Sequence, residues 1–456
     1  MVVALAPACV AADRPNVVFI ISDDHAWTDY GFMGHLAIRT PNLDRLARES
    51  LTFRRGYVTS SLCCPSLASI ITGQYPHQHK VTSNDPPIPA GVSPRDFHRS
   101  PAFAAGREVM NAHLDAAGTL PKLLGEHGYL SFQSGKWWQG HYIRGGFTHG
   151  MTQGQRHGDQ GLEIGRSTMQ PIYDFIDHAQ GEQKPFFLWY APMMPHSPHS
   201  PPDQLVEDYR AKTPSEHVAR YWAMVEWFDA SVGKLLSHLE RKRLADNTIV
   251  VYLADNGWIQ NPENSNYAPK SKQSQYDGGL RTPIMIRWPG HVAPQMSGEL
   301  AQSIDLVPTV LSAVGLADSP AMRGINLLDA NVVKGRRAIY GECFTHNAVD
   351  LDHPAANLRW RWMIEGTTKL IVPDARNEPN AAVELYDLSA DPHEEMEHTS
   401  ATPSLSPRCA KNLTAGGSQR SSLANEGAKT DYAADSRRSG LALTENRRVT
   451  RCQRPP

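Results

Sequence analysis

Three stretches of this chain run apolar without interruption and then stop abruptly at polar residues. Val17-Val18-Phe19-Ile20-Ile21 gives way to Ser22-Asp23-Asp24, and Ile249-Val250-Val251-Tyr252-Leu253 leads into Asp255-Asn256-Gly257. Phe186-Phe187-Leu188-Trp189-Tyr190 leads into a loop rich in proline and histidine. A strand with one wet face alternates polar and apolar side chains. Strands without alternation need cover on both faces, as in a parallel sheet held between two helical layers. Amphipathic stretches from Asn42 to Glu49, Leu120 to His127 and Glu216 to Arg243 supply helices for those layers. The expectation is a doubly wound, mostly parallel α/β sheet flanked by helices. Ligands in such sheets bind beyond the carboxyl ends of the strands, where all three polar clusters fall.

After about residue 320 the pattern changes. Trp360-Arg361-Trp362-Met363-Ile364, Thr368-Lys369-Leu370-Ile371-Val372 and Glu384-Leu385-Tyr386-Asp387-Leu388 read as short strands of a small antiparallel sheet. With 456 residues the chain is long enough for a large core and a smaller companion. The expected organisation is a main α/β domain over 14–320 and a C-terminal subdomain over 321–400. A basic tail over 401–456, poor in large apolar residues, is expected to be disordered. That tail carries ten Lys/Arg against four Asp/Glu, whereas the whole chain has 45 against 47. The near balance gives no general attraction to nucleic acid. No apolar run reaches the roughly 18–20 residues of a membrane span. Residues 1–13 read as the remnant of an export signal, with Val10-Ala11-Ala12 resembling a cleavage site, so a periplasmic or extracellular protein is expected. Six cysteines, at 9, 63, 64, 343, 409 and 452, show no disulfide-framework or zinc spacing.

Asp23, Asp24, Asp255 and Asn256 offer hard oxygen donors with no thiol or imidazole among them, a set suited to Ca²⁺, with Mg²⁺ the alternative. Each also suits an ordinary turn; converging carboxylates, however, would repel one another unless a cation offset them. Cys63 sits in Leu62-Cys63-Cys64-Pro65-Ser66-Leu67-Ala68-Ser69-Ile70-Ile71-Thr72-Gly73, where Pro65 suits the first turn of a helix and Gly73 its end. A helix N-terminus favours an anion, or a nucleophile derived from the thiol. Lys136, in Gly135-Lys136-Trp137-Trp138, and Lys272, five residues before Asp277, are candidate cations. His196 and His199 lie in the proline-bounded loop after the second apolar run. Trp138, Tyr142, Trp258 and Tyr267 suit either the core or stacking on sugar rings.

In order and spacing these segments resemble the sulfatase family, the formylglycine-dependent branch of the alkaline-phosphatase superfamily. The resemblance extends from Arg14 to about Glu397, from Arg14-Pro15-Asn16-Val17 through the segments around Asp23, Cys63, Lys136, His196, Asp255, Lys272 and Glu384 to Asp391-Pro392. It implies that a maturation enzyme oxidises Cys63 to formylglycine, whose hydrate is the nucleophile. Asp23, Asp24, Asp255 and Asn256 would hold Ca²⁺ together with position 63. Lys136 and Lys272 would bind sulfate oxygens, and His196, or Lys272, would assist the departing alcohol. The implied substrate is a sulfated small molecule or glycan. Three positions depart from the family pattern: Leu67 replaces an arginine, Trp138 a histidine and Gln74 a basic residue. His77, His79 and Lys80, just beyond the helix, are the basic residues at hand to compensate. Two alternatives remain: a phosphodiesterase or phosphonate-ester hydrolase on the same metal site, and a silent relative that binds anionic glycans.

Overall fold

The apolar run beginning near Val17 is the central strand of an eight-stranded sheet, bonded on one side to the run at Phe186 and on the other to the run at Ile249. The computed structural model describes residues 14–396; the expected export segment and basic tail lie outside the described residues. In chain order the strands are β1 (Asn16–Ser22), β2 (Leu51–Tyr57), β3 (Leu130–Gly135), β4 (His149–Gly150), β5 (Phe186–Ala191), β6 (Thr248–Ala254), β7 (Arg281–Arg287) and β8 (Gln295–Gln302). Their spatial order is β4-β3-β5-β1-β6-β7-β2-β8. Only β7 runs antiparallel to its neighbours, so the sheet is mixed and mostly parallel.

Successive side chains of β1 leave on opposite faces and build two separate cores, as the period of two requires. Val17, Phe19 and Ile21 pack with the buried helix Cys63–Thr72 and with Leu306–Ala313. Val18 and Ile20 pack beneath Pro41–Arg48, Gln170–Gly181 and the long helix Glu216–Arg241. Every residue of β1, β5 and β6 is buried, which accounts for the absence of alternation. At about 1.5–3 kcal/mol per large apolar side chain, these three strands anchor the molecule.

A second, four-stranded antiparallel sheet has the order β12-β11-β10-β9, formed by β9 (Ala338–Phe344), β10 (Leu358–Glu365), β11 (Thr368–Pro373) and β12 (Glu384–Asp387). Its inner face buries Trp362, Ile364 and Ile371 against Tyr57, Val58 and Leu280. Beneath that contact Lys369, fully buried, donates to Asp277 Oδ1 at 2.9 Å and pairs with Glu394 at 2.7 Å. Tyr57 Oη donates to the other oxygen of Asp277 at 2.9 Å.

Candidate active site

The carboxyl ends of parallel strands converge, and each delivers one part of the site. From β1 come Asp23 and Asp24, with Asp23 N donating to Met194 O at 2.9 Å and so tying β1 to the loop after β5. Asp24 adopts a left-handed φ of 61°, a conformation that Asp tolerates better than most residues. From β6 come Asp255, whose N donates to Ser22 O at 2.9 Å, and Asn256. From β3 comes Lys136, turned inward by Gly135 at φ +81°, where a Cβ would lie 2.0 Å from Ala191 O. Beyond β2 the helix Cys63–Thr72 begins at the sulfur-bearing residue itself and ends at Gly73. His196 follows β5, and Lys272 lies on the excursion joining β6 to β7.

These side chains meet. One donor atom from each of Asp23, Asp24, Cys63 and His196 lies within 4.8 Å of the other three. Asp255 and Asn256 join through Asp24: its N donates to Asp255 Oδ1 at 3.1 Å, and Asn256 Nδ2 donates to its Oδ1 at 2.7 Å. Lys136 Nζ donates to Asp23 Oδ1 at 2.6 Å and lies 3.6 Å from Asp255. Lys272 Nζ grips both oxygens of Asp24, at 2.6 and 2.7 Å. His196 Nε2 is 3.4 Å from Asp24 Oδ2. Neither lysine is a solvated surface residue: Lys136 is 1% exposed and Lys272 7%.

Three buried carboxylates thus face two ammonium groups. Burial, reinforced by the Asp23 charge, pushes Asp255 up to about 7. Burial also raises Asp23, against the pull of Lys136. Asp24 is held low, against the effect of its burial, by Lys272 and then Lys136. Burial pushes the Cys63 thiol up to about 12, with Lys136 and Lys272 opposing, so the unmodified thiol keeps its proton at neutral pH and is a weak nucleophile. Asp23 Oδ2, Asp255 Oδ2 and Asn256 Oδ1 are buried without a hydrogen-bond partner among the described residues. Orphaned hard oxygens with one surplus negative charge fit a divalent cation of the calcium type.

The basic residues beyond the helix Cys63–Thr72, weighed as replacements for the absent arginine, are engaged elsewhere. His77 pairs with Glu342 at 2.9 Å, His79 bonds Ser69 Oγ at 3.0 Å, and Lys80 is an exposed cap. Leu67 itself belongs to the apolar core of that face. Trp138 and Trp258 are buried, while Tyr142 and Tyr267 are partly exposed. Sequence reasoning overlooked the polar shell beside Cys64, where Asn84 Oδ1 accepts from Cys64 N at 3.0 Å and Gln139 Nε2 contacts its sulfur at 3.2 Å. It also overlooked Arg156, bonded twice to Asp85 at 3.0 and 2.9 Å, and the adjacent His157. Those residues lie in irregular polar segments that carry no periodic signal.

Comparison with known proteins gives this arrangement its class. A sulfatase profile matches residues 15–316, and a profile described as the N-sulphoglucosamine sulphohydrolase C-terminal region matches residues 268–413. The chain is 30% identical over 403 residues to N-acetylgalactosamine-6-sulfatase of Canis lupus familiaris, covering 78% of this chain and 73% of that protein. It is 28% identical over 371 residues to arylsulfatase A of Homo sapiens, covering 69% and 67%. A solved structure of a protein in complex with its substrate D-glucosamine-2-N,6-O-disulfate superposes with a TM-score of 0.64 at 20% identity, covering 88% of this chain and 96% of that one. The chain belongs to the sulfatase family and has its alkaline-phosphatase-like fold.

Proposed function

We propose that this sulfatase removes sulfate from a sulfated carbohydrate, using formylglycine made from Cys63 by a maturation enzyme and a bound Ca²⁺, with Mg²⁺ the alternative. The supporting observation is the convergence of the Cys63 sulfur with Asp23, Asp24 and His196 within 4.8 Å. Asp23, Asp24, Asp255 and Asn256 are the residues that would hold the ion. When bound, the cation supplies Lewis-acid stabilisation of negative charge, and it turns the surplus negative charge of the cluster into a surplus positive one. Formylglycine supplies, as its hydrate, paired hydroxyls suited both to taking up and to releasing a sulfuryl group.

The chain's own residues do the remainder. Lys136 and Lys272 orient the sulfate oxygens and carry fixed positive charge into a largely buried site, where it counts for more. Lys272, held charged by Asp24 against its burial, is the better-supported proton donor to the departing alcohol. His196 is held neutral, pushed down to about 3 by burial and by Lys136. Its Nδ1 bonds Ser197 O, leaving Nε2 as an acceptor that steers the attacking hydroxyl. A carbohydrate substrate is supported by the names of the relatives, and export by the composition of Met1 to Ala12.

The test is mass spectrometry of the peptide spanning Leu62 to Gly73, paired with aryl sulfate hydrolysis by wild type and Cys63→Ala. The expected result is an aldehyde at position 63 and at least a 10³-fold loss of rate in the variant, on the scale of removing a nucleophile. An intact thiol with no turnover would favour the silent glycan binder instead. Faster cleavage of aryl phosphate than of aryl sulfate would favour the phosphoester reading.

A further inference from the structure

His157 lies beside the site and is used by nothing described so far. Its backbone is left-handed at φ 70°, and Gly158 and Asp159 follow at 114° and 38°, three consecutive residues in sparsely populated conformations. The surroundings fix this shape. Asp159 accepts from the N–H groups of Gln153 and Gln155, Trp137 N donates to His157 O at 3.0 Å, and a Cβ on Gly158 would lie 2.5 Å from Gly135 O. The loop is therefore fastened to the segment that carries Lys136. It brings the imidazole edge-on to Trp138 at 4.5 Å between centroids and to 5.9 Å from the His196 ring.

The ring's tautomer follows from its partner. Arg156 Nη1 lies 2.8 Å from His157 Nε2, and a guanidinium can only donate, so Nε2 is the acceptor. Two bonds to Asp85 hold Arg156 in place. The proton of the neutral ring must then sit on Nδ1, which has no hydrogen-bond partner among the described residues. Burial and the nearby charges of Lys136, Arg156 and Lys272 keep the ring neutral. The result is a fixed N–H donor in a cationic neighbourhood, with no acceptor of its own among the described residues.

We propose that His157 is a further substrate-contacting residue, its Nδ1–H donating to an oxygen of the bound sulfate group. The inference rests on the sulfatase site described above and assigns to the loop after β4 an imidazole contact that Trp138 cannot make. A purely structural His157 would pack against Trp138 without touching the anion.

The experiment compares the calcium-loaded wild type with His157→Ala and His157→Gln. Inorganic sulfate is the probe, measured by calorimetry and as a competitive inhibitor of aryl sulfate hydrolysis. A donor to a charged oxygen is worth about 10–100-fold, so His157→Ala should weaken sulfate binding by that factor. His157→Gln, whose side-chain amide can still donate, should recover part of the loss at an unchanged melting temperature. If His157→Ala does not fold, His157→Gln decides alone: an intermediate affinity supports the contact. Nitrogen NMR of the labelled histidines should place the proton on Nδ1. A proton on Nε2, equal sulfate affinity in wild type and variants, or no sulfate binding by wild type each overturns the proposal. Wild type that binds sulfate through His157 yet hydrolyses no sulfate ester defeats the hydrolase reading alone. Full turnover in both variants defeats the His157 contact alone.

Discussion

At the scale of single residues, Lys136 is a charged side chain proposed to bind sulfate whose burial also makes it a structural necessity. It is 1% exposed and lies between Asp23 and Asp255. Replacing it with Ala leaves buried carboxylates unpaired, which typically costs about 3–5 kcal/mol. Measured by urea unfolding in chelator, Lys136→Ala should show that full loss. In millimolar calcium the loss should shrink, because the ion offsets the same carboxylates and adds binding energy to the folded state. An identical loss under both conditions would mean that no cation occupies the Asp23–Asp255 cluster.

At the scale of elements, one buried carboxylate joins two helices. Thr40, the residue before Pro41–Arg48, makes no side-chain cap; its hydroxyl donates to Asp44 instead. The cap comes from Asp229 on Glu216–Arg241, which accepts from the N–H groups of Asn42 at 3.2 Å and Leu43 at 2.7 Å. Burial pushes this carboxyl from 3.8 up to about 6, against those hydrogen bonds. A folded pKa above the unfolded one means that the native state holds the extra proton. The group's contribution is therefore greatest below about pH 4 and declines as pH rises to about 6. Asp229→Asn should flatten that part of the stability–pH curve, read as urea midpoints across the interval; parallel curves would rule the assignment out. Such a cap was hidden in the sequence, since nothing local links Asp229 to Asn42. The strands show the same division. β1, β5 and β6 were legible because burial on both faces leaves an unbroken apolar run. β2 (Leu-Thr-Phe-Arg-Arg-Gly-Tyr) and the edge strand β8, exposed along much of its length, carry polar residues that obscured them. The reversed direction of β7 arises from long-range pairing, which has no local signature. In the site, doublets at strand ends made Asp23, Asp24, Asp255 and Asn256 visible, whereas His157 sits in an irregular turn that reads as an ordinary polar loop.

At the scale of the whole molecule, the second sheet is joined to the candidate site through Asp277. Lys369 on β11 pairs with Asp277 and Glu394, and Asp277 opens the short helix leading into β7, five residues beyond Lys272. Lys369→Ala should lower stability by about 3–5 kcal/mol, because Glu394 loses its ion pair and Asp277 is left with Tyr57 and the more distant Arg281 alone. It should also depress aryl sulfate hydrolysis below the melting transition, because the Lys272 segment loses its anchor. Normal activity in a destabilised variant would confine Lys369 to a packing role. The lone reversed strand has one more consequence. Because β6 runs out to the site and β7 runs back from it, the stretch between them starts and finishes on the same floor, fixed at Asp255 and again at Lys272. Its far tip closes on itself, with Asn261 N donating to Asn266 O at 3.0 Å. Insertions or deletions at that tip should therefore leave Asp255 and Lys272 in place, because the two ends of the stretch are fastened independently of its length.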